Sequence, residues 1–387
     1  MHYDSSALPR SLYIHWPFCP YRCHYCPFVA LAGHDQFMSE YHKALVSEIT
    51  SYADMLDNHY CKPIDTIFFG GGTPSTYPIE LLLDTFAILN KKFVITSKTE
   101  ITIEVNPGTV SEKQIAVWKD LGINRMSVGV QSLKDGVLHD LNRMQKYNDV
   151  IELFSYAYKY IDTISIDLII GLPSIKDSEW KNYIEEVVLW PIKHISIYFL
   201  TVHEDTPLYF RVTKKNIQLP SDDNIVALYY WTIARLEKAG FVHYELSNFA
   251  RDNAYCRHNM AYWERKPYKG FGLGACSFDG YSRFQNEKNL TKYLAQSALS
   301  GGPTSFYETL TQKQIHLEKI MLRLRCMWGI TYTDLYMNID QEKKILLEKK
   351  VAELCQKGFL AHTDDNAIRL TVKGLIVENQ VVMELLI

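Results

Sequence analysis

Residues 13–26 read YIHWPFCPYRCHYC, an apolar run that leads directly into three closely spaced cysteines. Cys19, Cys23 and Cys26 form a C-x3-C-x2-C pattern in a predicted loop, so all three sulfurs could face one centre. Thiolates are soft ligands that suit iron–sulfur clusters or zinc. A structural zinc site usually has four protein ligands, whereas three thiolates on a cubane cluster leave one iron open. The pattern therefore favours an iron–sulfur cluster.

Two other interpretations of these cysteines stay open: a zinc site completed by His15 or His24, and a chance grouping in a loop. The other five cysteines are scattered, and we expect them to be small buried apolar residues rather than ligands. They are Cys61, Cys256, Cys276, Cys326 and Cys355. Among them, Cys256 is a candidate for a functional role because it lies directly before a second motif at 257–263.

Outward from the cysteine loop, short apolar runs alternate with helix-like segments. The predicted strands are 11–16, 64–70, 100–106, 124–130, 162–171 and 193–200. The predicted helices between them are 36–57, 78–91, 111–121 (with Ser111 as N-cap), 147–159 and 176–189. Strands that alternate with helices indicate an α/β fold with a parallel sheet. The strands are nearly all apolar, as expected when helices cover both faces. The alternation does not distinguish a barrel from an open sheet.

After residue 200 this alternation loosens, which predicts a division of the chain. The division is a core barrel over 1–240, a barrel-closing segment over 241–302 and a small α+β domain over 303–387. A Gly-Gly-Pro break at 301–303 marks the second boundary. The tail at 358–379 reads as strand, turn, strand and short helix.

Composition excludes several classes of protein. The 41 Lys and Arg against 44 Asp and Glu leave no basic surface for nucleic acid. No apolar run approaches the ~18 residues needed to cross a bilayer, and the first residues do not form a secretory signal. Eight cysteines in 387 residues are far below the density of a disulfide scaffold. We expect a cytoplasmic protein with reduced thiols, no nucleic-acid partner and no indicated membrane association.

Polar and glycine-rich landmarks follow the predicted strands. They are the stretch FGGGTPS (69–75) with Gly71, Gly72 and Thr73, then Glu104, Gln131, Arg143 and Asp167. Glycines let the backbone approach a ligand closely and expose N–H groups to a carboxylate. Parallel α/β folds place ligands at the carboxyl ends of their strands. Taken singly, each residue would more often be a cap or a surface group.

In this order, the landmarks and the cysteine pattern resemble the radical S-adenosylmethionine (SAM) superfamily. The resemblance implies a partial (β/α)6 barrel followed by a small α+β C-terminal HemN-like domain. It also implies a [4Fe-4S] cluster on Cys19, Cys23 and Cys26, with SAM chelating the open iron. The cofactor-binding residues implied are Tyr13, Tyr25, Gly71, Gly72, Thr73, Glu104, Gln131, Arg143 and Asp167.

Within the superfamily, the chain is similar to the branch that holds coproporphyrinogen dehydrogenases (HemN) and haem chaperones (HemW). The dehydrogenase pattern has a fourth cysteine where this chain has Phe28, and a longer segment before the cluster than the ten or so residues here. Residues 257–263, RHNMAYW, match the H-N-x-x-Y-W motif of the chaperones. The resemblance therefore implies a haem chaperone.

That assignment implies binding of haem, with His258 as candidate ligand of its iron, and delivery of haem to acceptor proteins. Tyr262 and Trp263 are then candidate pocket walls, because aromatic rings suit a porphyrin. Without the resemblance, the same motif would be read as packing in the barrel-closing segment. The alternative function is a radical SAM enzyme acting on a tetrapyrrole such as coproporphyrinogen III. Enzymatic activity of that kind stays uncertain, because Phe28 replaces the fourth cysteine. A zinc-holding scaffold is a third hypothesis, but it leaves the glycine and carboxylate landmarks unexplained.

Overall fold

The computed structural model describes residues 8–56, 62–297 and 302–386. Cys61, residue 301 and the predicted end of the first helix at residue 57 lie outside these ranges. The described strands are β1 (Ser11–Trp16), β2 (Phe18–Cys19), β3 (Leu31–Ala32), β4 (Thr66–Gly71), β5 (Glu100–Val105), β6 (Arg125–Gln131), β7 (Thr163–Ile170), β8 (His194–Phe199), β9 (Val242–Glu245), β10 (Asn248–Ala250), β11 (Tyr268–Phe271), β12 (Cys276–Phe278), β13 (Ser282–Asn286), β14 (Thr304–Thr309), β15 (Ile330–Thr331), β16 (Leu360–Thr363) and β17 (Ala367–Leu370).

The described α-helices are α1 (Met38–Met55), α2 (Ile79–Lys92), α3 (Glu112–Asp120), α4 (Asp135–Asp140), α5 (Tyr147–Ala157), α6 (Asp177–Val187), α7 (Pro207–Thr213), α8 (Asp222–Lys238), α9 (Arg257–Trp263), α10 (Leu290–Ser297), α11 (Gln312–Leu324), α12 (Tyr332–Leu335), α13 (Gln341–Gln356), α14 (Val372–Ile376) and α15 (Glu378–Leu385). Two short 3-10 turns, Asp35–Phe37 and Pro74–Thr76, precede α1 and α2. No helix in the described ranges is long and apolar enough to cross a membrane.

Six parallel strands form the centre of the structure. They pair in the order β1, β4, β5, β6, β7 and β8, and helices connect each strand to the next. The α/β class and the six βα units are as predicted, and the ends of the predicted strands lie within two residues of the observed ones. Ser111 caps α3 as predicted, in a capping box with Gln114.

Each parallel strand has an apolar face and a polar face. In β1, Leu12 and Ile14 are fully buried in the main core. Tyr13 and His15 face the other side of the sheet, where they line a cavity. The prediction that helices cover both faces is wrong. The inward positions carry small residues or polar residues that are hydrogen-bonded, so the strands do not show a clear polar alternation in the sequence. These inward positions form the wall of an open barrel.

Later parts of the chain extend both edges of the six-stranded array. β10 and β9 follow β8 at one edge, while β11, β12, β13 and β14 follow β1 at the other. The predicted segment 241–302 is therefore divided between the two edges, with α9 packed on β4 between them. The large sheet also passes the predicted boundary at 302 and ends at Thr309, because β14 pairs with β13. We propose a domain boundary near Leu310, since the Gly-Gly-Pro break joins α10 to an edge strand.

The C-terminal module has its own small core. β15, β17 and β16 form an antiparallel sheet, and α11, α13 and α15 pack with it around buried leucines and valines. The predicted strand–turn–strand–helix order of the tail is observed in β16, β17 and α14. The module contacts the barrel through an isolated bridge between Glu245 and Cys326 and through the ion pairs that Glu318 makes with Arg265 and Arg283.

A buried carboxylate joins α1 to the sheet edge formed late in the chain. Glu48 is 5% exposed and accepts hydrogen bonds from the Gly272 N–H at 2.9 Å, the Asn286 amide at 2.8 Å and the Tyr293 hydroxyl at 2.8 Å. Lys269 lies 3.6 Å away and supplies the compensating charge. This network connects the first helix to residues more than 220 positions away, so it locks the β11–β13 edge onto the barrel.

We expect Glu48→Ala to lower the free energy of unfolding by about 3 kcal/mol, because it leaves several buried donors and the Lys269 charge without a partner. The measurement is urea unfolding of the full chain. Glu40→Ala removes an exposed carboxylate from the same helix and is the matched control. Equal effects of the two substitutions would show that the network does not stabilise the fold.

Candidate functional site

The cysteine loop begins where β1 ends. β2 pairs with β3 beside it, and the loop is tied to the barrel by the His24 N–H, which donates to the Leu141 carbonyl at 2.8 Å. Cys19 and Cys23 are each 8% exposed, Cys26 is partly exposed, and all three are free thiols. They line a cavity of about 400 Å³ at the carboxyl ends of the parallel strands. The three cysteines, which are close together in the sequence, therefore line one common cavity.

Glycines in the loop after β4 allow a very close approach to the start of the cysteine loop. A Cβ on Gly72 would lie 2.4 Å from the Pro17 carbonyl oxygen, and one on Gly71, where φ is +124°, would lie 2.7 Å from the His15 ring. The N–H groups of Gly71, Gly72 and Thr73 donate to Glu104, Trp16 and Phe18. The expectation that these glycines expose N–H groups to a ligand is wrong, because the fold already uses those donors.

The thiols are set in surroundings that favour their neutral form. Burial raises the pKa of Cys19 to about 11, opposed by a hydrogen bond with Thr73, and burial likewise raises the pKa of Cys26. Because the thiolate is the ligand form, these sulfurs need a positively charged centre to stay deprotonated. That chemistry fits a metal cluster held by Cys19, Cys23 and Cys26.

A mononuclear zinc site fits less well. Within the described parts of the chain, no three His, Cys, Asp or Glu side chains gather closely enough to hold one metal ion. Both ring nitrogens of His15 are engaged, one with the Tyr13 hydroxyl at 3.0 Å and the other with the Val29 carbonyl at 2.9 Å. His24 contacts the guanidinium of Arg211 at 3.3 Å. Three sulfurs spread around a shared cavity suit a larger cluster better than a single ion.

A buried guanidinium stands against the cysteine loop. Arg143 donates to the Asn106 side chain at 2.8 Å and to the Gly129 carbonyl, and its Nη1 lies 3.7 Å from the Cys23 sulfur. A Cβ on Gly129 would lie 2.9 Å from the Arg143 Nη2. The hydroxyl of Tyr25 is buried at this site without a hydrogen-bond partner. The site thus holds a fixed positive charge and one polar group left free for a ligand.

Two carboxyl groups face the same cavity. Burial and the charge of Asp167 together raise the pKa of Glu104 to about 8, opposed by the hydrogen bond from the Gly71 N–H. Burial also raises the pKa of Asp167, opposed by hydrogen bonds from Ser196 and Ser127. Near neutral pH Glu104 is mostly protonated in the free protein, so a positively charged ligand would draw a proton off it.

The structure brings together most of the predicted site residues. The first cavity is lined by Cys19, Cys23, Cys26, Tyr25, Gly71, Gly72, Thr73, Glu104, Gln131, Arg143 and Asp167. Gln131 has a positive φ of 64°, at a register shift between β6 and β7. The sequence reasoning missed Asn106, Ser127 and Tyr198, which line the same cavity. Asn106 directly follows β5 and could have been found by the strand-end rule.

A second cavity, of about 530 Å³, adjoins the first. The two share Pro27, Phe28, Gly71 and Glu104. Tyr13 lines the second cavity and is absent from the lining of the first. Phe28, which occupies the position of the fourth cysteine in the dehydrogenase pattern, is 66% exposed and lines both cavities. The site therefore has two connected chambers, and only the first is lined by Cys19, Cys23 and Cys26.

His258 lies in the lining of neither cavity. It is 1% exposed, its ring stacks on Phe68, and its two nitrogens bond to the Thr66 hydroxyl and the Tyr262 hydroxyl, each at 2.8 Å. Burial lowers its pKa to about 3. In this arrangement neither nitrogen is free for iron, and the side chain anchors α9 to the start of β4.

The remaining cysteines divide into two groups. Cys256 and Cys326 are buried as predicted, and Cys355 is partly buried. Cys276 is exposed in the second cavity, so the expectation of a buried apolar role is wrong for it. The reason is its position as the first residue of β12, where its side chain lines the second cavity rather than the core.

Comparison with known proteins agrees with this architecture. The radical SAM superfamily model matches residues 13–187, and the HemN C-terminal domain model matches residues 310–377. Heme chaperone HemW of Synechocystis is 34% identical, covering 89% of this chain and 85% of the relative. Heme chaperone HemW of Bacillus subtilis is 31% identical, covering 96% and 98%. The mitochondrial radical S-adenosyl methionine domain-containing protein 1 of Danio rerio is 30% identical, covering 99% and 88%.

Among solved structures, coproporphyrinogen III oxidase (HemN) of Escherichia coli superposes with a TM-score of 0.80, covering 97% of this chain and 90% of that one. Its sequence is 24% identical, so this match concerns the fold. The six-stranded parallel array and the three-cysteine loop at its carboxyl edge define a radical SAM protein. Within that superfamily, the chain belongs to the HemW family. Membership of the superfamily implies a [4Fe-4S] cluster and SAM.

We expect Cys19→Ala, Cys23→Ala and Cys26→Ala each to abolish binding of the cluster, because a cubane with three protein ligands is not held by two. Iron and acid-labile sulfide are measured after anaerobic reconstitution, together with the visible absorption of the cluster. Cys355→Ala removes a thiol from the C-terminal module and is the control. Full iron and sulfide in any of the three variants would remove that cysteine from the ligand set.

Glu104 gives a pH-dependent prediction. Its folded pKa of about 8 exceeds the ordinary 4.5, so the folded chain binds the extra proton and stability falls as pH rises between these values. We expect Glu104→Gln to raise the free energy of unfolding at pH 8 by about 1–2 kcal/mol, allowing for water in the cavity. At pH 4 the difference should vanish. Urea unfolding at both pH values measures it, with exposed Glu152→Gln as control. A gain in the free energy of unfolding that is the same at both pH values would contradict the raised pKa of Glu104.

Proposed function

We propose that this chain is a haem chaperone that carries a SAM-liganded [4Fe-4S] cluster, binds haem and delivers it to acceptor proteins. The observation that carries the proposal is the pair of connected chambers. The cysteine chamber opens into a second one with aromatic walls and a cationic rim, in a chain whose relatives are named heme chaperones. A volume of about 530 Å³ lies within the usual range for small-molecule sites.

In this proposal the first chamber is the cofactor site. Cys19, Cys23 and Cys26 hold the cluster, and the bound cluster with SAM supplies one-electron chemistry. Arg143 places a permanent positive charge beside the Cys23 sulfur, which stabilises thiolate ligands. The carboxyl groups of Glu104 and Asp167 line the same chamber, where they can bind the positive and hydroxyl-bearing parts of SAM.

The remaining predicted residues have positioning roles in the proposed site. The Gly71–Gly72 turn keeps side chains out of the space between strand and cysteine loop. Thr73, Gln131 and the free hydroxyl of Tyr25 supply polar contacts for SAM. Tyr13 lies in the second chamber, so its proposed contact is with the haem side of the site.

A haem titration of the anaerobically reconstituted full chain tests the proposed function. We expect saturation near one haem per chain, followed by transfer of that haem to an apo haem protein. The alternative, an enzyme acting on coproporphyrinogen III, predicts instead that SAM, a reductant and the porphyrinogen give 5′-deoxyadenosine together with a decarboxylated product. Absence of specific haem binding would overturn the chaperone assignment, and substrate-dependent product would favour the enzyme.

The titration also tests His258 as the haem ligand predicted from the sequence motif. Because both of its nitrogens are occupied in the fold, we expect His258→Ala to lower the free energy of unfolding by about 2 kcal/mol and to leave the spectrum of bound haem unchanged. Tyr262→Phe, which frees one nitrogen, is the companion variant. A changed iron spectrum in His258→Ala, with Tyr262→Phe like the wild type, would instead support His258 as the ligand.

A further inference from the structure

The second cavity has an unbalanced positive rim. Four cationic side chains line it: Arg265, Lys266, Arg283 and Lys288. Glu318 pairs with both arginines, at 3.1 Å to Arg265 and 2.6 Å to Arg283. Glu264 pairs with Lys266. Two carboxylates against four cations leave two positive charges, and Glu104, also in the lining, is mostly protonated near neutral pH.

Two of the cations have bonding capacity to spare. The Nη2 atom of Arg265 is buried without a hydrogen-bond partner. Lys288 is exposed at the rim, and no acidic side chain pairs with it in the described ion pairs. Such groups bind carboxylates well, because charge-assisted hydrogen bonds are about twice as strong as neutral ones. The rim therefore fits a ligand that carries two carboxylates.

The walls of the same cavity fit a flat apolar body. Tyr262 and Tyr268 meet edge to face with ring centroids 4.6 Å apart, and Phe278 lies 6.2 Å from Tyr268. Phe28 adds an exposed ring at the junction with the cysteine chamber. Leu322 of the C-terminal module completes the lining. Aromatic faces of this kind line pockets for planar ligands.

An iron ligand is also available in this cavity. Cys276 is exposed there, and the Gln285 side-chain amide approaches its sulfur at 3.3 Å. Cysteine sulfur is an established type of haem-iron ligand. In the cysteine chamber, by contrast, the guanidinium of Arg143 is already hydrogen-bonded to protein groups, so it is not available to bind a propionate.

Building on the proposed function, we infer that the second cavity is the haem site. The two propionates bind at Arg265 and Lys288, and the iron faces the sulfur of Cys276. Haem matches the cavity in three independent respects. Its two negative charges match the cationic rim, its planar apolar ring matches the aromatic walls, and its iron can bind the cysteine sulfur. Its seat is lined by both the barrel and the C-terminal module.

The test compares haem with its dimethyl ester, which lacks the two charges. Both probes are titrated into the full reconstituted chain, into the double variant Arg265→Gln/Lys288→Gln, and into the control Lys292→Gln, an exposed lysine outside the lining. We expect the double variant to bind haem at least about tenfold more weakly than the wild type does, and to bind the ester as the wild type does. Unchanged ester binding also shows that the variant is folded.

The iron ligand is tested separately by electron paramagnetic resonance of bound ferric haem. We expect Cys276→Ser to lose the signature of thiolate ligation and Cys355→Ser to keep it. If the wild type binds haem but the double variant and Cys276→Ser both behave like it, the inference is overturned while the proposed function stands. If the wild type binds no haem at all, the proposed function fails and the inference fails with it.

Discussion

The close approach of the Gly71–Gly72 turn to the chain between His15 and Phe18 is the constraint on which the site depends. A Cβ on Gly72 would lie 2.4 Å from the Pro17 carbonyl oxygen, a separation that the backbone can tolerate only when the Cβ is absent. The N–H groups of the turn bond to Glu104 and to carbonyls of the cysteine-loop entry. One contact thus holds the cysteine loop, the end of β4 and a carboxyl group in a single arrangement.

The polar interior of the barrel lies next to that contact. Small residues such as Gly129 leave room for Arg143 to reach toward the Cys23 sulfur, and the carboxyl groups of Glu104 and Asp167 line the same chamber. Burial holds their pKa values above the ordinary range. A site with this polarity is preorganised for charged ligands, because its groups are already fixed by hydrogen bonds to the backbone and to neighbouring side chains.

Much of the fold could be predicted because its signals are local. Each parallel strand is a short apolar run between helices with their own caps, so β5 at Glu100–Val105 and α3 behind it were found almost to the residue. The short strands β9, β10 and β12, which extend the six-stranded array, were not, because they are only three or four residues long and carry no periodic signal. The predicted boundary at 302 falls before β14, which pairs with β13, because the Gly-Gly-Pro sequence has the composition of a linker.

By itself, the sequence determined that Cys19, Cys23 and Cys26 lie in one short loop, because only seven peptide bonds separate the first from the last. It also determined the strand-end landmarks, since parallel strands bring their carboxyl ends to one edge. Only the tertiary structure decided the fates of His258 and Cys276. The conspicuous histidine is enclosed by Thr66 and Tyr262, while the inconspicuous cysteine opens onto a cationic cavity. Both outcomes depend on side chains from distant parts of the chain, and the fold alone specifies which of those become neighbours.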